Sequence, residues 1–115
     1  MLTEFCKKNI KHKMKFMQEE HEKVLKLLYN NACEQKTVKN YEFQPHVIPH
    51  ITYRNLMKTL GDMDNFVLDV CLTDLTRLGF AYRNVYANGN VEYGIKELGL
   101  KYIEYKQTQI TGNER

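Results

Sequence analysis

The chain has 115 residues, the size of one domain, with 43% hydrophobic and 27% charged residues, two prolines and six glycines. That composition excludes a disordered or fibrous chain. Seventeen Lys and Arg against fourteen Asp and Glu leave a net charge of +3, too small an excess to identify a polyanionic partner by itself. No run reaches the roughly 18 consecutive apolar residues of a membrane span, and the N-terminal MLTEFCKKNIKHKMKF has neither the apolar core nor the small-residue cleavage site of a secretory signal. The expected location is the cytoplasm.

Cys6, Cys33 and Cys71 are odd in number and fit no C-x-x-C or disulfide framework, so reduced structural thiols are expected. His46 and His50 are four apart, but Pro49 stands between them and no further ligand sits at metal spacing. The chain contains no serine and no phosphate-cradling glycine loop, and no Cys or acid is placed with a His as a nucleophile and its base. Neither an enzyme, a cofactor nor a metal site is expected.

Within the first sixteen residues Lys7, Lys8, Lys11, Lys13 and Lys15 face only Glu4, which makes residues 1–17 a basic arm or helix extension. From residue 14 to about 31, Met14, Met17, His21, Val24, Leu25, Leu28 and Tyr29 recur at three- and four-residue steps, the period of one long amphipathic helix. Residues 32–50 lose that period and carry both prolines, so a long connection is predicted, with a short strand at 41–43 or 46–48. In ITYRNLMKTLG, Thr52 can cap a short helix that turns Leu56, Met57 and Leu60 inward, with Gly61 placed to stop it. A second helix, 65–78, sets Leu68, Leu72, Leu75 and Leu78 on one stripe and ends at Gly79. Residues 80–86 and 91–95 alternate as strands joined through Asn88-Gly89, the signature of a type I′ turn. That turn pairs Tyr86 with Val91, Asn84 with Tyr93 and Tyr82 with Ile95. A last helix is predicted over 96–106, followed by a polar tail, 107–115.

The order helix, connection, helix, turn, helix, hairpin, helix resembles the winged helix-turn-helix superfamily, in particular the small MarR-like, ArsR-like and PadR-like regulators. The residues that carry the resemblance are EEHEKVLKLLYNN, HITYRNLMKTLG, DVCLTDLTRLGFAYR and NGNVEYGIKELGLKYIE, together spanning about residues 18–106. It implies an α+β fold, mainly helical with a β-hairpin wing and a final helix. It also implies docking of the second helix of the turn motif in the major groove of double-stranded DNA, with the wing on the backbone or in the minor groove.

The inner leucine stripe leaves Asn65, Phe66, Asp69, Val70 and Thr73 on the presumptive DNA-facing surface. Asp62, Asp64, Asp69 and Asp74 put four carboxylates in or beside this helix, and each subtracts from attraction to phosphate. Contacts are therefore expected mainly as backbone contacts from elsewhere: Lys11 and Lys13 of the arm, Thr52, Arg54 and Lys58 of the first helix of the motif, and Arg77 at the end of the second. Arg83, Asn84, Tyr86, Asn88 and Asn90 of the hairpin complete the set, with Asn65 and Thr73 on the helix itself. The expected function is a sequence-dependent DNA-binding protein, a transcriptional regulator or a plasmid or phage DNA-maintenance factor. A homodimer is expected, because Met14, Phe16, Met17 and Leu27, and likewise Tyr102, Ile103 and Tyr105, exceed what a three-helix core needs. The alternative is a winged-helix module that binds protein through the acidic, apolar helix, at Phe66, Asp69 and Val70.

Overall fold

The computed structural model describes residues 2–44 and 48–110, and the fold is α+β. Two helices precede the connection, α1 (Glu4–Met14) and α2 (Glu19–Glu34). A small ribbon, β1 (Val38–Lys39) and β2 (Glu42–Phe43), lies in the connection, and β3 (Ile51–Thr52) leads directly into α3 (Tyr53–Thr59). Then come α4 (Asn65–Arg77), the hairpin β4 (Ala81–Val85) and β5 (Val91–Ile95), and α5 (Glu97–Ile110). The expected strand at 46–48 lies largely outside the described residues.

The core is built on α2. Its stripe of Val24, Leu25, Leu28 and Ala32 is buried against α4, which contributes Leu68, Cys71, Leu72 and Leu75. The apolar spacing read from the sequence is the spacing that packs, because only residues three and four apart share a helix face. Burial of Cys71, helped by the nearby carboxylates of Glu20 and Asp74, pushes its thiol up to about 11, so it packs as an apolar residue.

One long first helix is not what forms. The chain turns at residues 15–18, and Gln18 is extended at φ −109 and ψ 177. His21 explains the break, since its Nδ1 accepts from the Gln18 backbone N–H at 3.0 Å while its Nε2 lies 2.9 Å from Asp74 Oδ2. One neutral tautomer satisfies both contacts, with Nε2–H donating to the carboxylate. No glycine or proline marks this break, so the helical period runs through it unbroken in the sequence.

The basic N-terminal segment is thus a helix of its own. Thr3 caps it by accepting from the Cys6 N–H, and Ile10 is fully buried. Helix α1 packs on α5, and Tyr102, Ile103 and Tyr105 are buried within the single chain. That accounts for apolar surface on α5 for which a second copy was expected. The helical part of α5 also runs four residues beyond 106, into the segment expected to be a polar tail.

The connection closes by means that need neither proline. Helix α2 ends with Lys36 at φ +60, and the Lys36 and Thr37 N–H groups return to the carbonyls of Cys33 and Ala32. This is the reciprocal pair of bonds that usually has glycine at its left-handed position. Val38 pairs with Phe43 and Lys39 with Glu42, which leaves Asn40 and Tyr41, at φ +55 and +63, as a two-residue loop with both residues left-handed. A type I′ turn requires that geometry. Tyr41 is an uncommon residue in it, and it stacks on Tyr29 with centroids 5.7 Å apart.

Helix α3 ends at Thr59 with Leu60 as its cap, and Gly61 is not left-handed. Helix α4 runs from its Asp64 cap to Arg77, one residue short of the predicted end. Gly79, at φ +83, closes it through bonds from Gly79 N–H to Thr76 and from Phe80 N–H to Leu75.

Replacing His21 by Ala removes a cap acceptor, a half-buried hydrogen bond and packing volume together. The expected loss is about 2–3 kcal/mol of unfolding free energy, read as a lower urea midpoint at unchanged m-value. Asp74→Ala should cost less, because the Asp74 side chain is 38% exposed and water already solvates part of it.

Candidate nucleic-acid interface

The hairpin pairs one residue out of the expected register. Val85 faces Val91, Asn84 faces Glu92, Arg83 faces Tyr93, Tyr82 faces Gly94 and Ala81 faces Ile95. The cause lies in the loop. Of its residues only Gly89 has positive φ, at +90, and the bonds run from Gly89 N–H to the Tyr86 carbonyl and from Tyr86 N–H to the Asn90 carbonyl, both 2.9 Å. This is a three-residue loop in which a left-handed glycine follows a turn, rather than the two-residue I′ loop expected from Asn88-Gly89. Asn88 serves the loop through its side chain, accepting from the Asn90 N–H at 3.0 Å.

A one-residue slip exchanges the two faces of a strand. Ala81, Arg83 and Val85 therefore share a face with Val91, Tyr93 and Ile95, while Tyr82 and Asn84 lie on the other with Glu92 and Gly94. Arg83 Nε donates to the Tyr93 hydroxyl at 3.2 Å. Tyr86 donates to Glu92 at 2.8 Å. Arg83 and Asn84, proposed from sequence as neighbouring contacts, face opposite ways.

The hairpin is seated beside α3 by the third strand. In the order β3-β5-β4, Ile51 pairs with Tyr93 and Thr52 with Glu92. Asn31 and Gln35 of α2 both donate to the His50 carbonyl, and the His50 N–H returns to the Gln35 side chain. On the opposite side the Tyr82 hydroxyl donates to the Pro49 carbonyl. Gly94 lies between them, and a Cβ there would collide with both the Pro49 carbonyl and the Tyr82 ring.

This seating creates a cleft of about 550 Å³ between α4 and the hairpin, to which Arg77 and Thr73 contribute from α4 and Arg83 and Tyr93 from the hairpin. Tyr53, the first residue of α3, and Asp69 of α4 also line it, the Tyr53 hydroxyl donating to Asp69 Oδ1 at 2.5 Å. That hydrogen bond, with partial burial, pushes the Tyr53 hydroxyl up to about 12, so it remains a donor at neutral pH. A second cleft, of about 440 Å³, runs from Thr52 and Arg54 to Gly89 and Asn90 at the hairpin tip, and Tyr53 and Val91 line both. The start of α3, the exposed side of α4 and one face of the hairpin thus form one continuous surface.

The sequence-proposed residues divide on that surface. Thr52, Arg54, Thr73, Arg77, Arg83 and Asn90 line its two clefts, and Asn65, Lys58 and Asn88 are exposed on the elements that frame it. Thr52 also caps α3, accepting from the Asn55 N–H at 3.2 Å. Asn84 and Tyr86 are exposed elsewhere on the hairpin. Lys13 is committed to another task, since its ammonium donates to the Leu78 carbonyl at 2.5 Å, over the Phe80 ring, where it satisfies the C-terminal end of α4. Lys11 is exposed on α1. Tyr53 and Tyr93 were missed as cleft residues. Only the true hairpin register and the helix start show where they point.

Three of the four carboxylates counted against phosphate binding have structural partners. Asp64 accepts from the Phe66 N–H at 2.7 Å, Asp69 from Tyr53, and Asp74 from His21. Among the described residues no group of three or more His, Cys, Asp or Glu side chains could hold a metal ion, and no helix is long and apolar enough to cross a membrane. Comparison with protein-family models, curated proteins and solved structures finds no significant match.

Gly94→Ala should displace either Tyr82 or the 49–50 segment, at an expected cost of about 2–3 kcal/mol. Thermal unfolding measures it, and a melting temperature within a degree of wild type would contradict the close approach.

Proposed function

We propose that the protein is a winged helix-turn-helix DNA-binding protein that grips the duplex backbone at the cleft between α4 and the hairpin. The observation that carries this reading is the placement of Arg77 and Arg83, from two different elements, on one open cleft. Two guanidinium groups converging from separate elements suit a phosphate, because each presents a fork of donors and neither can lose its charge. The hydroxyls of Thr73 and Tyr93 add neutral donors on the same walls, while that of Tyr53 is held by Asp69.

The order of elements supports the same reading. A short strand enters α3, a tight link joins α3 to α4, and the hairpin that follows pairs back onto that strand. With the hairpin as wing and α4 as the helix nearest the groove, Arg54 and Asn90 extend the contact toward the wing tip. The exposed outer side of α4 offers Asn65 and Thr73 as its neutral polar side chains beside Phe66, Asp69 and Val70. Backbone contact therefore dominates base readout, and the role is that of a regulator or DNA-maintenance factor whose sequence preference is modest.

Fluorescence anisotropy with a mixed-sequence duplex tests this. Binding should weaken steeply with salt, and Arg77→Ala and Arg83→Ala should each lower affinity and reduce the logarithmic salt slope by about 1. Asp69→Asn should tighten binding, and Asn84→Ala should change it little. Absence of binding at about 50 mM salt would sink the proposal.

A further inference from the structure

Two exposed apolar faces of opposite charge lie on this molecule, and neither meets the other within one chain. The first is the outer side of α1. Opposite the buried Ile10, the residues Phe5, Lys8 and His12 follow one another at three- and four-residue steps, with Lys11 beside them. Phe16 extends the stripe beyond the helix end, its ring edge-on to His12 at 6.2 Å. Phe5 is 79% and Phe16 54% exposed, and Lys8, Lys11 and Lys15 are exposed around them.

The second face is the N-terminal half of α4 with the link before it. Phe66 is 74% and Val70 41% exposed, one helical turn apart, and the exposed carboxylates of Asp62, Asp64 and Asp69 surround them. Lys23 is the neighbouring base, across a small cleft from Asp62 and Asp64. Single exposed apolar residues are ordinary, but neighbouring exposed apolar side chains rimmed by charge mark contact surfaces.

We propose that the outer face of α1 in one copy docks on the acidic, apolar half of α4 in a second copy, so that the protein associates head to tail. Charge complementarity selects this occupant: three exposed lysines against Glu4 flank Phe5 and Phe16, and three exposed aspartates flank Phe66 and Val70. The contact cannot close within one chain. Lys13 fixes the end of α1 at Leu78, the C-terminal end of α4, whereas Phe66 lies twelve residues away along that helix, about 18 Å at 1.5 Å per residue. Helix α1 also lies on α5 with its outer face turned from its own core. Because the two patches differ, a pair joined at one contact still has one free donor face on one copy and one free acceptor face on the other, and association continues beyond a dimer. The inference does not depend on duplex binding.

Sedimentation equilibrium of the full chain without DNA is the test. In about 50 mM salt the mass should rise with concentration past that of a dimer, and at about 1 M salt it should fall toward the monomer. The pairs Lys8→Glu with Lys11→Glu and Asp62→Lys with Asp69→Lys should each abolish association. Their equimolar mixture should restore it, since every donor face then again meets an acceptor of opposite sign. Phe66→Ser, a change at an exposed position outside the core, should weaken association about tenfold and keeps the test open should the Asp69 change disturb Tyr53. A wild-type monomer at low salt would overturn the proposal. So would a dimer that stops growing and survives both charge changes, or a mixture of folded variants that stays monomeric. Loss of duplex binding by the lysine variant with association unchanged would assign the α1 face to DNA instead.

Discussion

Everything else in this molecule is hung on the pairing of α2 with α4. Val24, Leu25 and Leu28 on one helix and Leu68, Leu72 and Leu75 on the other are at most 1% exposed, and each fully buried aliphatic side chain contributes on the order of 1.5–3 kcal/mol. Such packing is strong but does not by itself fix which turn of one helix meets which turn of the other. The His21 and Asp74 contact supplies that reference, and at the other end of α2 the Asn31 and Gln35 bonds to the His50 carbonyl hold the segment that leads into β3. Helix α2 therefore positions both halves of the proposed interface: α4 directly, and the start of α3 through the strand that precedes it.

The hairpin illustrates how much of a site depends on a single backbone angle. Its existence, its two strands and the glycine at its tip are all legible in YANGNVEYG, because alternation and a turn pair are local signals. Register is different. Asn-Gly accepts two left-handed residues but does not demand them, and with Gly89 alone left-handed the loop gains a residue. Arg83 then shares a face with Tyr93 and enters the cleft, whereas the expected register would have grouped Tyr82 with Ile95. The I′ geometry occurs instead at Asn40 and Tyr41, which no dipeptide rule selects and which the Tyr29 ring supports from outside the turn.

Helix α1 was illegible for a related reason. Its lysines read as a basic arm or an extension of the next helix because charge content dominates any local average, and the stripe that buries it consists of Ile10 with the partly buried Cys6 and Met14. Those residues become a helix face only once α5 offers Tyr102, Ile103 and Tyr105 to cover. Tertiary packing, more than propensity, decides whether so short a helix forms. The break at Gln18 is likewise invisible, since its cause is a histidine three residues later whose other nitrogen is held by a carboxylate fifty-three residues away.

The acidic residues of α4 show why a count of charges misjudges a surface. Asp64 holds the helix start, Asp74 belongs to the α2 contact, and Asp69 accepts from Tyr53 at the edge of α3. These roles do not remove the charges, but they give the carboxylates of α4 structural work within the chain. They also divide the helix along its length. Its first half joins Asp62, Asp64 and Asp69 to exposed Phe66 and Val70, and its second half brings Thr73 and Arg77 to the cleft that Arg83 shares. A helix of thirteen residues is about 20 Å long, twice the Debye length of roughly 10 Å at 0.1 M salt. The far ends, Asp62 and Arg77, therefore act as separate charges, and Asp69, which lines the cleft together with Arg77, is where the two proposed contacts oppose each other.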